Sequence, residues 1–182
     1  MNVVLATHSG ARRRWLTAKY PGVLRVGADG QRNQFGERHN HCYTSPVYRD
    51  KVRQINQRLA ERYGHRQNLI LWHVSNEYGG ECYCELCQAA FRRWLRAKYH
   101  TLAALNHAYW GAFWSHEHTD WDQVAAPSPR GDQNVTGLNL DWHRFVTAQT
   151  IDFFDAEVAP LRAANPQIPV TTHFIGGNPP EA

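Results

Sequence analysis

The segment WHVSNEYGGECYCELC, residues 72–87, combines a carboxylate, an amide and several thiols in one short stretch. Glu77 follows Asn76 at the end of an apolar run, where a strand would present its last side chains to a cleft. A carboxyl group in a partly desolvated pocket has a raised pKa and can act as a general acid. Asn76 would hold a substrate hydroxyl, and Tyr78 would contact the acid. The same spacing also fits a Glu77 that caps the next helix or ligates a cation.

The cysteines suggest a metal site next to this carboxylate. Cys82, Cys84 and Cys87 form a C-x-C-x-x-C pattern, and Cys42 lies upstream of them. Four thiolates suit tetrahedral Zn²⁺, and such a closed site is structural because it leaves no position for water. The alternative is a set of buried thiols without metal, since cysteine is among the most buried residue types. The spacing alone leaves both interpretations open, because it is less diagnostic than two C-x-x-C pairs.

Three apolar runs would form the strands that position these residues. They are short and rich in aliphatic or β-branched residues, as is typical of buried parallel strands. They read VVLA at residues 3–6, NLILWHVSNE at residues 68–77 and IPVTTHF at residues 168–174. Glu77 would therefore end the second strand.

The segments between these runs have the periodicity of amphipathic helices. SPVYRDKVRQINQRLAERYG predicts a helix with Ser45 as N-cap, Pro46 in the first position and Gly64 at the stop. Its inward face is predicted to hold Tyr48, Val52, Ile55, Leu59 and Tyr63. Further helices are predicted near Trp15, over residues 85–99, around residues 102–110 and over residues 139–165. The predicted core of these helices includes Trp15, Leu86, Phe91, Trp94, Leu95, Trp142, Phe145 and Phe153.

The order of the elements indicates an α/β protein with a parallel sheet. Strands alternate with helices, and such alternation implies parallel βαβ crossovers. Three parallel strands alone would leave open edges on the sheet. The order therefore predicts a segment of a larger barrel or sheet.

The composition argues against several other classes of protein. The formal net charge is +4, and its largest basic clusters, ARRRWL and FRRWLRAKY, mix cations with apolar residues instead of forming a stripe for nucleic acid. No apolar run approaches the roughly 18 residues that cross a bilayer. The start MNVVLATHSG lacks the charged region of a secretory signal. We therefore expect a cytoplasmic protein with reduced cysteines that binds neither nucleic acid nor membrane.

The segment LILWHVSNEYGGECYCELC resembles the acid/base segment of family 42 glycoside hydrolases, which are β-galactosidases with a (β/α)8 barrel. Further matching segments occur in the family's order: VVLAT, RHNHCYTSPVYR, FRRWLRAKY, LNHAYWGAFWS, GLNLDWHRF and PVTTHF. The resemblance implies a partial TIM barrel over residues 1–176, roughly strands 3 to 5 with their helices. Residues 177–182 would form an unstructured tail.

The resemblance also assigns roles to individual residues. It implies that Glu77 is the proton donor, that Asn76 contacts the sugar and that Arg38 binds the substrate. It places Trp114 near the active site as a platform for sugar stacking; a packing or subunit contact is the alternative. The implied substrate is a terminal β-D-galactose residue, and full-length members would be homotrimers. Many members carry a zinc cluster, whose ligands would be Cys42, Cys82, Cys84 and Cys87.

The sequence departs from the family pattern in one respect. Retaining glycosidases need a second carboxylate about 5 Å from the acid as nucleophile. In the family this glutamate comes from the seventh strand, and Glu81, Glu85 and Glu117 match no nucleophile motif. We therefore expect the isolated chain to be inactive or nearly so. A different sugar preference remains open, and so does a zinc-stabilised binding module without catalytic activity.

Overall fold

The computed structural model describes residues 1–11, 13–36, 38–131 and 134–173. Its sheet contains β1 (Val3–Ala6), β2 (Leu69–His73) and β3 (Val170–Thr171), which run parallel in the order β1-β2-β3. The alternation predicted from the sequence is confirmed. The second and third strands are shorter than the runs that predicted them: β2 ends at His73, four residues before Glu77, because the backbone turns into the left-handed region at Ser75 and Glu77. The predicted tail at residues 177–182 lies outside the described residues.

Five helices connect and cover these strands. They are α1 (Arg14–Lys19), α2 (Pro46–Tyr63), α3 (Glu85–Tyr99), α4 (Leu102–Tyr109) and α5 (Thr136–Ala164). Short 3-10 turns occur at Pro21–Val23, Phe113–Ser115 and Trp121–Gln123. In the part of the chain that the structure describes, no helix combines the length and the hydropathy needed to cross a membrane.

The predicted ends of α2 are confirmed. The Ser45 hydroxyl accepts a hydrogen bond of 3.3 Å from the Tyr48 N–H, and Pro46 opens the helix. Gly64 ends the helix with a right-handed φ of −61°, so the freedom of glycine to adopt a positive φ is not used. Close approach explains this glycine instead, since a Cβ atom would lie 2.6 Å from the Ala60 carbonyl oxygen.

The buried face of α2 differs in part from the prediction. Ile55 is 37% exposed, although its position suggested the core. Asn56 is fully buried instead, because its amide donates a 3.0 Å hydrogen bond to the Glu157 carbonyl. Apolar periodicity does not reveal a polar residue whose partner lies on another helix. The buried residues of α2 are Tyr48, Val52, Asn56 and Ala60.

The predictions that Trp15 and Leu86 lie in the core were also wrong. Trp15 is 54% exposed, because the six-residue helix α1 turns Leu16 and Thr17 inward. Leu86 is 43% exposed, because the inward face of α3 holds Cys87, Phe91 and Leu95. The aromatic residues predicted for the core of α5 are buried as expected, namely Trp142, Phe145 and Phe153.

The chain divides into two compact units. The first comprises Met1–Val23, Phe35–Gly80 and the chain from Thr150 onward, and it contains the sheet. One of its apolar clusters surrounds Trp72 of β2, and another surrounds Phe153 of α5. The Phe153 ring stacks on Tyr43 with ring centroids 4.5 Å apart. These clusters fix the sheet against the helices that follow β1 and precede β3.

The second unit comprises Leu24–Gln34 and Glu81–Gln149. Its core includes a buried carboxylate, Asp141, which is 1% exposed. Asp141 accepts hydrogen bonds from Lys98, from the Tyr99 hydroxyl at 2.7 Å and from the Tyr109 hydroxyl at 3.0 Å. A buried charge is tolerated when it is paired and hydrogen-bonded in this way.

Replacing Phe153 with alanine should destabilise the chain strongly. The ring is 1% exposed, so its loss removes buried apolar surface and leaves a cavity, at a cost of about 3–5 kcal/mol in the free energy of unfolding. Ile151 on the same helix is 57% exposed, so Ile151→Ala is the matched control and should change stability by less than about 0.5 kcal/mol. Denaturant titration followed by circular dichroism measures both. Equal losses in the two variants would contradict the assigned core.

Candidate active site and thiol cluster

The backbone turns sharply after β2. Ser75 and Glu77 have φ angles of 52° and 48°, in the left-handed region that non-glycine residues rarely adopt. Such residues cost of order 1–3 kcal/mol each and persist where the surroundings hold them. The Ser75 N–H donates to the Thr7 hydroxyl at 2.9 Å, and the Glu77 N–H donates to the His173 carbonyl at 2.7 Å. Because Thr7 follows β1 and His173 follows β3, Glu77 lies at the carboxyl end of all three strands.

Among the described residues, Arg38 makes the shortest ion pair with the Glu77 carboxylate. Its guanidinium donates a hydrogen bond to Glu77 Oε2 and forms an ion pair with it. The Glu77 side chain is 15% exposed, whereas that of Arg38 is 59% exposed. His173 lies on the other side, with Nδ1 3.7 Å from Glu77 Oε1. The structure thus brings Arg38 and Glu77 together, although they lie 39 positions apart in the sequence.

The protonation state of Glu77 differs from the expectation. Burial raises the pKa of Glu77, but hydrogen bonds from Arg38 and Asn76 outweigh this effect and hold the pKa below its ordinary value. Glu77 is therefore an ionised carboxylate here, whereas the sequence suggested a raised pKa. The reason is that Arg38, predicted to contact the substrate, contacts the carboxylate directly.

Tyr78 contacts a different carboxylate from the one predicted. Its hydroxyl donates a 2.5 Å hydrogen bond to Oε2 of Glu157, a fully buried residue of α5, and not to Glu77. Its ring packs edge-on against Phe153 and Phe154, with centroids 6.4 Å and 5.9 Å apart. Burial and the Glu157 carboxylate raise the pKa of Tyr78, so the phenol keeps its proton. Sequence reasoning missed Glu157, because it lies on α5, 79 positions further along the chain than Tyr78.

Trp114 lies in the second unit and exposes most of its ring. Its indole is 72% exposed and stacks on Phe113 with centroids 4.8 Å apart. Trp110, also 72% exposed, stacks on the same Phe113 ring, with ring centroids 5.7 Å apart. Trp114 has a left-handed φ of 53°, which turns the indole outward from the 3-10 turn. The sequence pointed to Trp114 alone, whereas the structure shows three aromatic rings in one exposed stack.

The four cysteines are buried and close together. Their sulfur atoms all lie within 4.8 Å of one another. Four sulfurs at about 2.3 Å from a tetrahedral Zn²⁺ would be about 3.8 Å apart, so the spacing suits such an ion. Cys84 caps α3 and Cys87 lies in its first turn, where the positive helix end favours thiolates. The Val26 N–H also points at Cys82 Sγ, at 3.5 Å. The cluster is compatible with a metal site of the predicted composition: Cys42, Cys82, Cys84 and Cys87.

Known proteins resemble the chain over almost its whole length. A family model for glycoside hydrolase family 42, described as β-galactosidase, matches residues 1–181. β-Galactosidase BglY of Alicyclobacillus acidocaldarius is 63% identical over 179 residues, which are 98% of this chain and 26% of that protein. β-Galactosidase GanA of Bacillus subtilis is 57% identical over 178 residues, which are 97% of this chain and 26% of that protein. The chain thus spans about a quarter of the length of the curated relatives it matches.

Solved structures give the same result for the fold. Gan42B, a GH42 β-galactosidase from G. stearothermophilus, superposes with a TM-score of 0.95 at 60% identity, over 97% of this chain and 26% of that one. The cold-adapted β-galactosidase from Rahnella sp. R3 gives a TM-score of 0.94 at 56% identity, over 96% of this chain and 26% of that one. The α/β fold is that of a partial (β/α)8 TIM barrel, as the sequence predicted.

Replacing Arg38 with methionine should raise the pKa of Glu77. Burial raises the pKa of Glu77, and the Arg38 hydrogen bond lowers it. Without that hydrogen bond the pKa of Glu77 should therefore move up toward the ordinary value of 4.5. A depressed folded-state pKa stabilises the fold above the unfolded value, and this contribution is lost as the pH falls through the folded pKa. Arg38→Met should therefore lower the free energy of unfolding at neutral pH. Below about pH 4.5, the free energy of unfolding of this variant should fall less steeply with pH than that of the original chain.

Carbon-13 NMR titration of the Glu77 carboxyl group, alongside urea unfolding at several pH values, measures both effects. The matched control is Arg58→Met, which removes an exposed 3.7 Å ion pair with Glu61 on α2. That variant should leave the titration of Glu77 unchanged. An unaltered Glu77 pKa in Arg38→Met would show that the ion pair does not control the carboxylate.

Proposed function

Because the chain belongs to glycoside hydrolase family 42, the β-galactosidase family, we propose that it carries the acid/base half of the active site of a retaining β-galactosidase. The observation that carries this proposal is the Glu77 carboxylate at the carboxyl end of β2, paired with Arg38. Catalytic groups of (β/α)8 barrels gather at this end of the strands. The substrate would be a terminal β-D-galactoside.

Glu77 would act twice in the reaction. As an acid it protonates the glycosidic oxygen while the bond to the sugar breaks, and as a base it then takes a proton from the water that hydrolyses the glycosyl-enzyme intermediate. The first role needs a protonated carboxyl group, yet Arg38 and Asn76 hold Glu77 ionised. A sugar hydroxyl that takes over the hydrogen bonds of Arg38 would leave burial as the main influence on Glu77 and raise its pKa. Substrate binding and protonation of the acid would then be coupled.

Asn76 and Trp114 would orient the sugar. The Asn76 amide adjoins Glu77 and already hydrogen-bonds to it, so it is suited to hold a hydroxyl next to the scissile bond. Trp114 would offer its exposed indole face to the apolar face of the galactose ring, as aromatic platforms do for sugars. The exposed stack with Phe113 supports this role, because it holds the indole in an open orientation.

The second carboxylate of the reaction is not assigned to this chain. A retaining enzyme requires a nucleophilic carboxylate about 5 Å from the acid. Glu157 is occupied by the Tyr78 hydroxyl, and Glu81 accepts hydrogen bonds from Tyr83 and from Trp142 Nε1. Because no described carboxylate is assigned as the nucleophile, we expect the 182-residue polypeptide by itself to be inactive or nearly so on β-galactosides.

The cysteine cluster would hold a structural Zn²⁺. Its donors are four thiolates, so the ion would have no open position for water or substrate. The ion would cross-link the chain segments that bear the ligands, and it would take no part in catalysis. A cytoplasmic location and a homotrimeric full-length enzyme, both expected from the sequence, belong to the same proposal.

Glu77→Gln should abolish hydrolysis of unactivated substrates. The test needs a complete enzyme, which a graft provides: the segment of BglY that matches this chain, 63% identical, is replaced by the chain itself. We expect the kcat/KM of the graft for methyl β-galactoside to fall by at least about 10³-fold, because the leaving group then receives no proton. Azide should restore turnover of an activated substrate by replacing water as the attacking nucleophile.

Glu85→Gln is the matched control, since Glu85 lies exposed in the first turn of α3 and has no assigned role. That variant should keep nearly the activity of the graft. The proposal is wrong if Glu77→Gln hydrolyses methyl β-galactoside at more than about a tenth of the rate of the graft. The 182-residue chain alone should show no turnover above background.

Zinc should bind in about one equivalent per chain. Plasma mass spectrometry of the purified chain measures the content, and Cys87→Ser should reduce it below half and lower the Tm, because a hydroxyl is a poor zinc ligand. Chelator treatment followed by added Zn²⁺ should restore the Tm of the original chain, whereas Mg²⁺, which prefers oxygen ligands, should not. Less than about half an equivalent in the original chain would contradict the site.

A further inference from the structure

We propose that Tyr78 and Glu157 form a positioning pair that holds the Glu77 carboxyl group in its working orientation. The inference rests on the proposed function, in which Glu77 is the acid/base, and it adds two residues to the machinery of that site. Neither residue touches the substrate in this proposal. Both would act through the backbone and through the Arg38 ion pair.

The position of Tyr78 in the turn gives it this role. Before Glu77, the chain is fixed by the hydrogen bond from the Ser75 N–H to Thr7 Oγ1, at 2.9 Å. After Tyr78 come Gly79 and Gly80, which are exposed and have no side chains to anchor them. The Tyr78 side chain is thus the anchor on the far side of Glu77. Glu77 has a left-handed φ of 48°, which persists only where its surroundings hold it, and Tyr78 adds a side-chain anchor to the backbone contact of Glu77 with His173.

The anchor point is a buried carboxylate. Glu157 is 0% exposed, and its Oε2 accepts the Tyr78 hydroxyl at 2.5 Å. Its carbonyl oxygen also accepts a 3.0 Å hydrogen bond from the buried Asn56 amide of α2, which ties this turn of α5 to a second helix. A buried carboxylate is costly to desolvate, and an apolar pair of similar size would pack without that cost. Packing alone therefore does not explain why a glutamate faces the turn.

The same ring supports the partner of Glu77. The Tyr78 ring lies against His39, with centroids 6.5 Å apart, and His39 is the neighbour of Arg38. His39 has a left-handed φ of 57°, and its Nδ1 lies 3.5 Å from the Tyr43 hydroxyl. Tyr43 also packs against Tyr78, at 6.2 Å. Movement of Tyr78 would thus disturb both ends of the Arg38–Glu77 ion pair.

This arrangement predicts a specific kinetic signature. A misplacement of about 1 Å at a reacting group can cost about 10²-fold in rate. This loss of rate appears only when the leaving group needs a proton to depart, as a poor leaving group such as methoxide does. A dinitrophenyl leaving group departs without a proton. A loss of positioning therefore separates the two substrates, whereas general damage to the fold lowers activity on both.

The experiment compares Tyr78→Phe with Tyr99→Phe in the BglY graft. Both variants remove one tyrosine hydroxyl from a buried carboxylate, since Tyr99 donates to Asp141 at 2.7 Å. For Tyr78→Phe we expect kcat/KM on methyl β-galactoside to fall about 10- to 100-fold and on dinitrophenyl β-galactoside less than about 3-fold. Tyr99→Phe should lower the Tm and change both values by the same small factor.

Variants of Glu157 test the other member of the pair. Glu157→Gln retains an oxygen that can accept the Tyr78 hydroxyl, so it should stay within about 3-fold of the graft on both substrates. Glu157→Leu removes the acceptor and should show the same separation of substrates as Tyr78→Phe. If Glu157→Leu does not fold, the nearly isosteric Tyr78→Phe decides the question.

Three results would overturn the positioning pair. They are no loss on either substrate in Tyr78→Phe, an equal loss on both substrates in Tyr78→Phe, and the same separation of substrates in Tyr99→Phe. Glu77→Gln in the same graft distinguishes these failures from a failure of the proposed function. If Glu77→Gln keeps its activity on methyl β-galactoside, Glu77 is not the acid; if it loses that activity while Tyr78→Phe is unaffected, only the pair is wrong.

Discussion

The left-handed turn after β2 is the constraint on which the candidate site depends. Ser75 and Glu77 both adopt positive φ angles, and neither is a glycine that could do so without strain. Such a backbone persists because neighbouring strand ends hold it, through Thr7 after β1 and the carbonyl of His173 after β3. The backbone conformation at Glu77 therefore depends on three strands together and not on its own motif alone.

The charges around this turn follow from the cost of burial. A carboxylate out of water must be paired or must take up a proton. Glu77 is paired with Arg38, whose hydrogen bond helps to hold the pKa of the carboxyl group below its ordinary value. Glu157 receives the Tyr78 hydroxyl, whose raised pKa keeps the phenol a donor. Glu77 adjoins Tyr78 in the sequence and Glu157 lies 79 positions further on, yet Glu157 is the carboxylate that the Tyr78 hydroxyl contacts.

Much of the fold was predictable because its signals are local. Ser45 and Pro46 start α2 as expected, and the apolar runs form parallel strands in the predicted order. The errors occurred where burial depends on a partner from another element. Ile55 is exposed and Asn56 is buried, because the Asn56 amide finds the carbonyl of Glu157 on α5. Nothing in the spacing of α2 encodes that contact.

The sequence by itself determined the family, the order of the elements and the place of Glu77 shortly after β2, since these depend on residue types at short spacing. It also pointed to four cysteines as one ligand set, and the structure brings their sulfurs within 4.8 Å of one another. Only the tertiary structure decided the state of Glu77 and the partner of Tyr78. The pKa of a carboxyl group and the cost of a buried phenol depend on which groups meet in space, and here Arg38 and Glu157 arrive from distant parts of the chain.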